Sequence, residues 1–152
     1  LKVDSKGWVK VTASDNQEIL KELSEDKYFI HQPNFKSLNG IIKLMDESYK
    51  DAKTFFSQPS YNTLVVIPLK DEIVPRKPLI ELLKETNIKS YDFSSDFLIF
   101  ESSYHMILRD IKGNNVTEEI KKWIEERKNK KQNDFSEAIK KLKNADYYHI
   151  LD

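Results

Sequence analysis

Thr63-Leu-Val-Val-Ile-Pro-Leu-Lys-Asp-Glu-Ile-Val-Pro75 decides the fold when it is read with Ser102-Ser-Tyr-His-Met-Ile-Leu-Arg-Asp110. Thr63 to Ile67 is apolar without alternation, the pattern of a parallel strand covered on both faces. Pro68 ends the run, because a proline cannot donate to a central ladder. The loop beyond it carries Asp71. A second apolar run, Phe97-Leu-Ile-Phe100, ends in a loop carrying His105. Between the two, Pro75 and Pro78 bracket the start of a helix whose buried face is Leu79, Ile80, Leu82 and Leu83. This strand–loop–helix–strand–loop order predicts an α/β unit with a right-handed crossover, which brings both strand ends to one edge of the sheet. Asp71 and His105, 34 residues apart, then share that edge.

Helices are expected on either side of this unit. Leu38, Ile41, Ile42, Met45, Tyr49, Ala52 and Phe56 recur at spacings of three and four, with lysines and acids on the other face. Ser57-Gln-Pro-Ser-Tyr-Asn62 breaks that helix. Upstream, Ile19, Leu20 and Leu23 share a helical face. Ser14 and Gln17 have capping-box spacing, and Asp15 and Asn16 compete as caps. Trp8-Val-Lys-Val-Thr12 alternates weakly, as a short extended segment does. Downstream, Val116, Ile120, Trp123 and Ile124 form an amphipathic stripe with Asn115 as a plausible N-cap. Lys128-Asn-Lys-Lys-Gln-Asn133 reads as a polar link, and Phe135, Ala138, Ile139 and Leu142 as one last helix.

Composition narrows the function classes. The chain has 152 residues, enough for one ordinary domain. Lys+Arg 25 cancels Asp+Glu 25, so no global field attracts nucleic acid or an anionic membrane. Lys121, Lys122 and Lys128 to Lys131 interleave with Glu118, Glu119, Glu125 and Glu126, the pattern of a solvated helix face rather than a nucleic-acid patch. The absence of cysteine removes disulfides, thiolate nucleophiles and Cys-type zinc sites. His31, His105 and His149 are scattered, with no acid at ligand spacing, so no metal or organic cofactor is implied. No apolar run approaches the ~20 residues of a membrane span. Leu1 to Lys6 has no signal-peptide core. The expected location is the cytoplasm. A start at Leu rather than Met fits a piece of something longer.

An acid and a histidine on successive strand ends are two of the three groups of a Ser–Asp–His hydrolase. There, the acid orients the imidazole and the imidazole takes the serine proton. Taken singly, Asp71 reads equally well as a loop acid or helix cap, and His105 as an ordinary half-buried histidine. Tyr104 and Met106 flank His105 and are candidate pocket residues. Tyr104 also suits a packing role, and Trp8 and Trp123 read as core or cap packing.

Pro68-Leu-Lys-Asp71-Glu-Ile-Val-Pro75 and Tyr104-His-Met-Ile-Leu-Arg-Asp110 resemble the lysophospholipase and monoacylglycerol-lipase group of α/β-hydrolases. In that group, a Gly-x-x-Asp-x-Ile/Val-Pro loop carries the acid and a Tyr-His-Met-Leu-Leu-Arg-Asp stretch the histidine. Thr12-Ala-Ser-Asp-Asn16 and Asn39-Gly-Ile-Ile-Lys-Leu-Met-Asp46 are similar to the group's cap and the crossover helix before the acid strand. The likeness covers about residues 10 to 127. It implies an α/β fold, the C-terminal portion of an α/β-hydrolase: two parallel strands with flanking helices, plus part of a helical cap. It also implies a division into a cap remnant over 1–35, a hydrolase core over 36–127, and a polar link with a helical tail over 128–152. Asp71 and His105 are then the catalytic acid and base. The substrate is a carboxylic ester, such as a lysophospholipid or monoacylglycerol.

The chain departs from that group at Pro68 and Ser103, where glycines are usual, and at the nucleophile. A Gly-x-Ser-x-Gly elbow exposes the serine on a strained turn. Of Gly7, Gly40 and Gly113, only Gly7 stands two places after a serine, and Val3 occupies the first glycine position. The implied serine therefore lies on sequence outside these residues. Two roles follow. The chain is the acid-and-base half of an esterase whose other half is a partner; or it is a split product without activity, surviving as an interaction partner or remnant. The open edge of the acid strand further predicts that the isolated chain self-associates or needs its missing half.

Overall fold

The computed structural model describes residues 11–30, 32–58, 61–86, 95–126 and 136–144. Their elements run α1 (Gln17–Glu25), α2 (Phe35–Ser57), β1 (Thr63–Pro68), α3 (Arg76–Glu85), β2 (Ser95–Phe100), α4 (Gly113–Glu126) and α5 (Ser136–Asn144). Trp8, His31, Phe135, His149 and the polar link at 128–133 lie outside the described residues.

β1 and β2 pair in parallel, with Thr63 opposite Ser95 and Pro68 opposite Phe100. The chain thus has an α/β fold with a small two-stranded parallel sheet flanked by helices. Pro68 is tolerated inside the pairing for a geometric reason. Leu69 donates its N–H to the Phe100 carbonyl at 3.0 Å. Donors alternate in direction along a parallel strand, so the missing donor of Pro68 faces away from β2.

Residues of one parity build the core. Val65, Ile67 and Leu69 from the first strand and its end, with Phe97 and Ile99 from the second, meet Phe56, Leu79, Ile80, Leu83, Ile139 and Leu142 from the helices. Ile67, Leu83 and Leu142 are fully enclosed. Ile67 is the buried apolar residue of the two strands; Val65, Leu69, Phe97 and Ile99 toward the core are half-buried, as are Leu64, Val66, Leu98 and Phe100 on the other face. There, Trp123 of α4 donates its indole N–H to Asp96, which ties α4 to that face. α3 packs against both α2 and α5, and Lys53 pairs with Glu85 across α2 and α3 at 2.7 Å.

The structure decides among the candidate caps and corrects one of them. Of Ser14, Asp15 and Asn16, it is Asn16 that caps α1, its side-chain oxygen accepting the Ile19 N–H. Ser14 is held by a distant partner instead. α4 begins at Gly113, so Asn115 lies within the helix, because the preceding turn already closes through Gly113 N–H to the Asp110 carbonyl. The apolar stripe of α2 is real in sequence, but none of it is fully buried: Leu38, Tyr49, Ala52 and Phe56 are half-buried. Ile41, Ile42 and Met45 are each more than half exposed, because this 23-residue helix, about 34 Å long, outruns six-residue strands of about 20 Å. No helix among the described residues is long and apolar enough to cross a membrane.

Candidate functional site

Asp71 and His105 meet at the carboxyl edge of the sheet. The ends of the two strands are laced together: beyond the Leu69–Phe100 bond, Lys70 donates its N–H to the Ser103 carbonyl at 2.9 Å. Asp71 follows at once. Its Oδ1 accepts the N–H groups of Ile73 and Val74 at 2.8 and 3.0 Å, an Asx-type turn that short acidic side chains favour. Its Oδ2 lies 3.0 Å from Nδ1 of His105. The carboxylate is therefore held on both oxygens, and its side chain is only 10% exposed against 39% for the imidazole.

The pairing fixes a tautomer. A carboxylate only accepts, so Nδ1 carries the shared proton and Nε2 is left as an acceptor. Nε2 makes no hydrogen bond among the described residues, and no serine hydroxyl there bonds to the ring. The arrangement can take a proton at Nε2 and stabilise the resulting imidazolium through Asp71. The described residues include no cluster of His, Cys, Asp and Glu able to hold a metal ion.

An open cleft of about 770 Å³ lies beside the pair. Asp71 and Tyr104 line it, whereas His105 and Met106 do not. Its charged lining is balanced, with Lys70, Arg76, Lys140 and Lys141 against Asp71, Glu72, Glu101 and Glu137. The Lys70 ammonium lies 5.2 Å from the centre of the Tyr104 ring, a cation–π contact that holds the tyrosine against the loop. Leu69 and Ile99 supply apolar floor, and α5 forms one wall.

The sequence reading missed the strap over this site. Residues 12–16 cross both loops. Thr12 N–H donates to Glu72 at 2.7 Å, Met106 N–H donates to the Ala13 carbonyl at 2.9 Å, and Ser14 Oγ donates to Asp110 at 2.7 Å. Asp15 accepts the Ile111 N–H, and Asn16 donates to the Arg109 carbonyl. The available signal was the density of capping residues at 14–16, whose local capping role hid their remote partners. No protein-family model matches the sequence, and no curated protein or solved structure matches it. What stands is a generic α/β fold compatible with a hydrolase-like architecture, with an acid–imidazole pair at its carboxyl edge.

Proposed function

We propose that this chain supplies the acid and base of a Ser–Asp–His carboxylic-ester hydrolase, with the serine carried by polypeptide outside these 152 residues. The observation that carries the reading is the His105–Asp71 contact at 3.0 Å, with the free acceptor nitrogen it leaves. His105 is the general base and then the general acid, and Asp71 holds its tautomer and stabilises the imidazolium. Tyr104 and Met106, on either side of His105, are the candidate pocket residues. The substrate class is a lipid-like ester, a lysophospholipid or monoacylglycerol. The motif resemblance around Asp71 and His105 supports this choice. The reaction takes place in the cytoplasm.

The test is expression of the 152 residues joined to the adjoining coding sequence that contains a Gly-x-Ser-x-Gly elbow. The joined protein should hydrolyse monoacylglycerol or lysophosphatidylcholine and lose that activity in His105→Ala. The 152 residues by themselves should neither turn over p-nitrophenyl butyrate nor react with a fluorophosphonate, since loss of the serine in a comparable triad costs about 10⁶ in kcat. Turnover by the unjoined chain that vanishes in His105→Ala would place a nucleophile within it and refute the division. Adjoining frames without any elbow, or joined activity indifferent to His105→Ala, would refute the hydrolase reading.

A second reading has its own observation. Ile41, Ile42, Leu44 and Met45 form an exposed apolar strip on α2, as an inactive interaction partner would present. Sedimentation of the chain at micromolar concentration distinguishes a self-associating species from a monomer.

A further inference from the structure

We propose that Asp110 is a positioning residue for His105 and that Ser14 latches it, so that the segment 12–16 sets the place of the imidazole. The inference deepens the reading above, because it concerns the same histidine. Its observations require no ester chemistry.

His105 belongs to neither a helix nor a strand; it sits on the irregular stretch between β2 and α4. Its ring makes one hydrogen bond. An exposed side chain on a turn is placed only as well as the backbone beneath it. That backbone is tethered on each side of the histidine. Tyr104 N–H donates to Asp110 Oδ2 at 2.7 Å, and Met106 N–H reaches the Ala13 carbonyl.

Asp110 is the joint between the two tethers. Its carboxylate is nearly enclosed, the residue being 6% exposed, and Ser14 is fully enclosed. A buried carboxylate must find donors. One donor stands beside His105 and the other is the Ser14 hydroxyl, from 96 residues earlier in the chain. The hydroxyl cannot easily serve elsewhere. Ser14 Oγ accepts the Asn16 N–H at 3.2 Å, which leaves its single proton for Asp110. The same segment grips both neighbours of Asp110, through Asn16 to the Arg109 carbonyl and Asp15 to the Ile111 N–H. Glu22 of α1 pairs with Arg109 at 3.3 Å. A displacement of the segment therefore reaches the turn that bears the imidazole.

The experiment is nitrogen-15 NMR of the whole chain, following the Nδ1 proton of His105 and the ring tautomer. Ser14→Ala and Asp110→Ala should speed solvent exchange of that proton by about tenfold or more, as local opening of the turn does. Asp110→Asn still offers an oxygen to Tyr104 N–H and an amide donor to Ser14, so its exchange should stay within about twofold of the parent. Leu142→Ala, a core change that removes none of the hydrogen bonds of the turn or the strap, separates positioning from mere stability. It should lower the unfolding midpoint and leave the proton untouched. If Asp110→Ala does not fold, Ser14→Ala, which deletes one oxygen, carries the test. Unchanged exchange in Ser14→Ala, or equal acceleration in Leu142→Ala, overturns the proposal alone. A parent chain with no Nδ1 proton bonded to Asp71 overturns both this proposal and the hydrolase reading.

Discussion

Substituting alanine at Gly113 and at Gly40 should move stability in opposite directions. At Gly113 an added Cβ would stand 2.4 Å from the Leu108 carbonyl oxygen and 2.8 Å from its carbon. Ordinary contact is about 3.5 Å, so something must shift by about an ångström. Both obstructing atoms are backbone. Gly113 N–H is itself bonded to the Asp110 carbonyl at 2.8 Å, so neither side yields without breaking the turn that carries His105. Overpacking of this kind costs about 1–3 kcal/mol, against at most ~1 kcal/mol gained in helix propensity. The net loss is about 1–2 kcal/mol. At Gly40, within α2, a Cβ would meet nothing within 4 Å. Alanine there should stabilise by about 0.5–1 kcal/mol. For a domain of this size each kcal/mol moves the midpoint by about 2–4 °C, so the two variants should differ by about 3–12 °C. Thermal melts followed by circular dichroism read the midpoints, and urea titrations with an unchanged slope confirm that stability is what changed. A Gly113→Ala variant as stable as the parent, or both variants shifting the same way, would refute the packing of the helix start against the Leu108 turn.

Two further outcomes follow from the core and its clasp. Leu83 is fully enclosed between sheet and helices, so Leu83→Ala should cost about 2–5 kcal/mol, while Leu44→Ala on the exposed strip should stay within about 0.5 kcal/mol; similar urea midpoints for the two would contradict the core assignment. Hydrogen bonding to Glu85, and then its charge, hold the Lys53 ammonium above its ordinary range. The stabilisation from that pair is present below the unfolded-state pKa and is lost as pH rises through the raised folded-state value. Glu85→Gln should flatten the alkaline limb of a stability–pH curve at low salt; an unchanged limb would show that the clasp contributes nothing there.

The elements legible in the sequence are those that short-range physics determines. β1 and β2 announce themselves as compact apolar runs ended by a proline or a polar turn, and α3 as a proline-led amphipathic stretch. Their pairing follows from crossover handedness. α2 was legible as an amphipathic helix, but how little of its apolar stripe is covered was not. Periodicity reports which side chains share a face and says nothing of whether neighbouring structure is long enough to cover it. The cap of α1 was left open for a related reason. Ser14, Asp15 and Asn16 all satisfy the local chemistry of an N-cap, and only one can hold the position. Asn16 takes it, while Ser14 and Asp15 bond to residues 96 positions away, a competition that no window of sequence contains.

The same divide runs through the candidate site. Asp71 and His105 could be paired from sequence because each stands just past a strand, and the sheet does the work of bringing the strand ends together. Holding them to 3.0 Å takes more than the sheet. Oδ1 of Asp71 is fixed by the two amides that follow it, a local turn written in Asp71-Glu-Ile-Val-Pro75. The His105 ring has no such anchor beside the bond to Asp71, so its place depends on the turn beneath it. Its support comes from Asp110 within the turn and Ser14 from the far end of the described chain. Without the strap, the acid would remain placed and the imidazole would wander, since only one member of the pair carries its own anchor. The residues that make the pair were thus readable one at a time, and the residues that keep it were readable only once the strap had been seen lying across both loops.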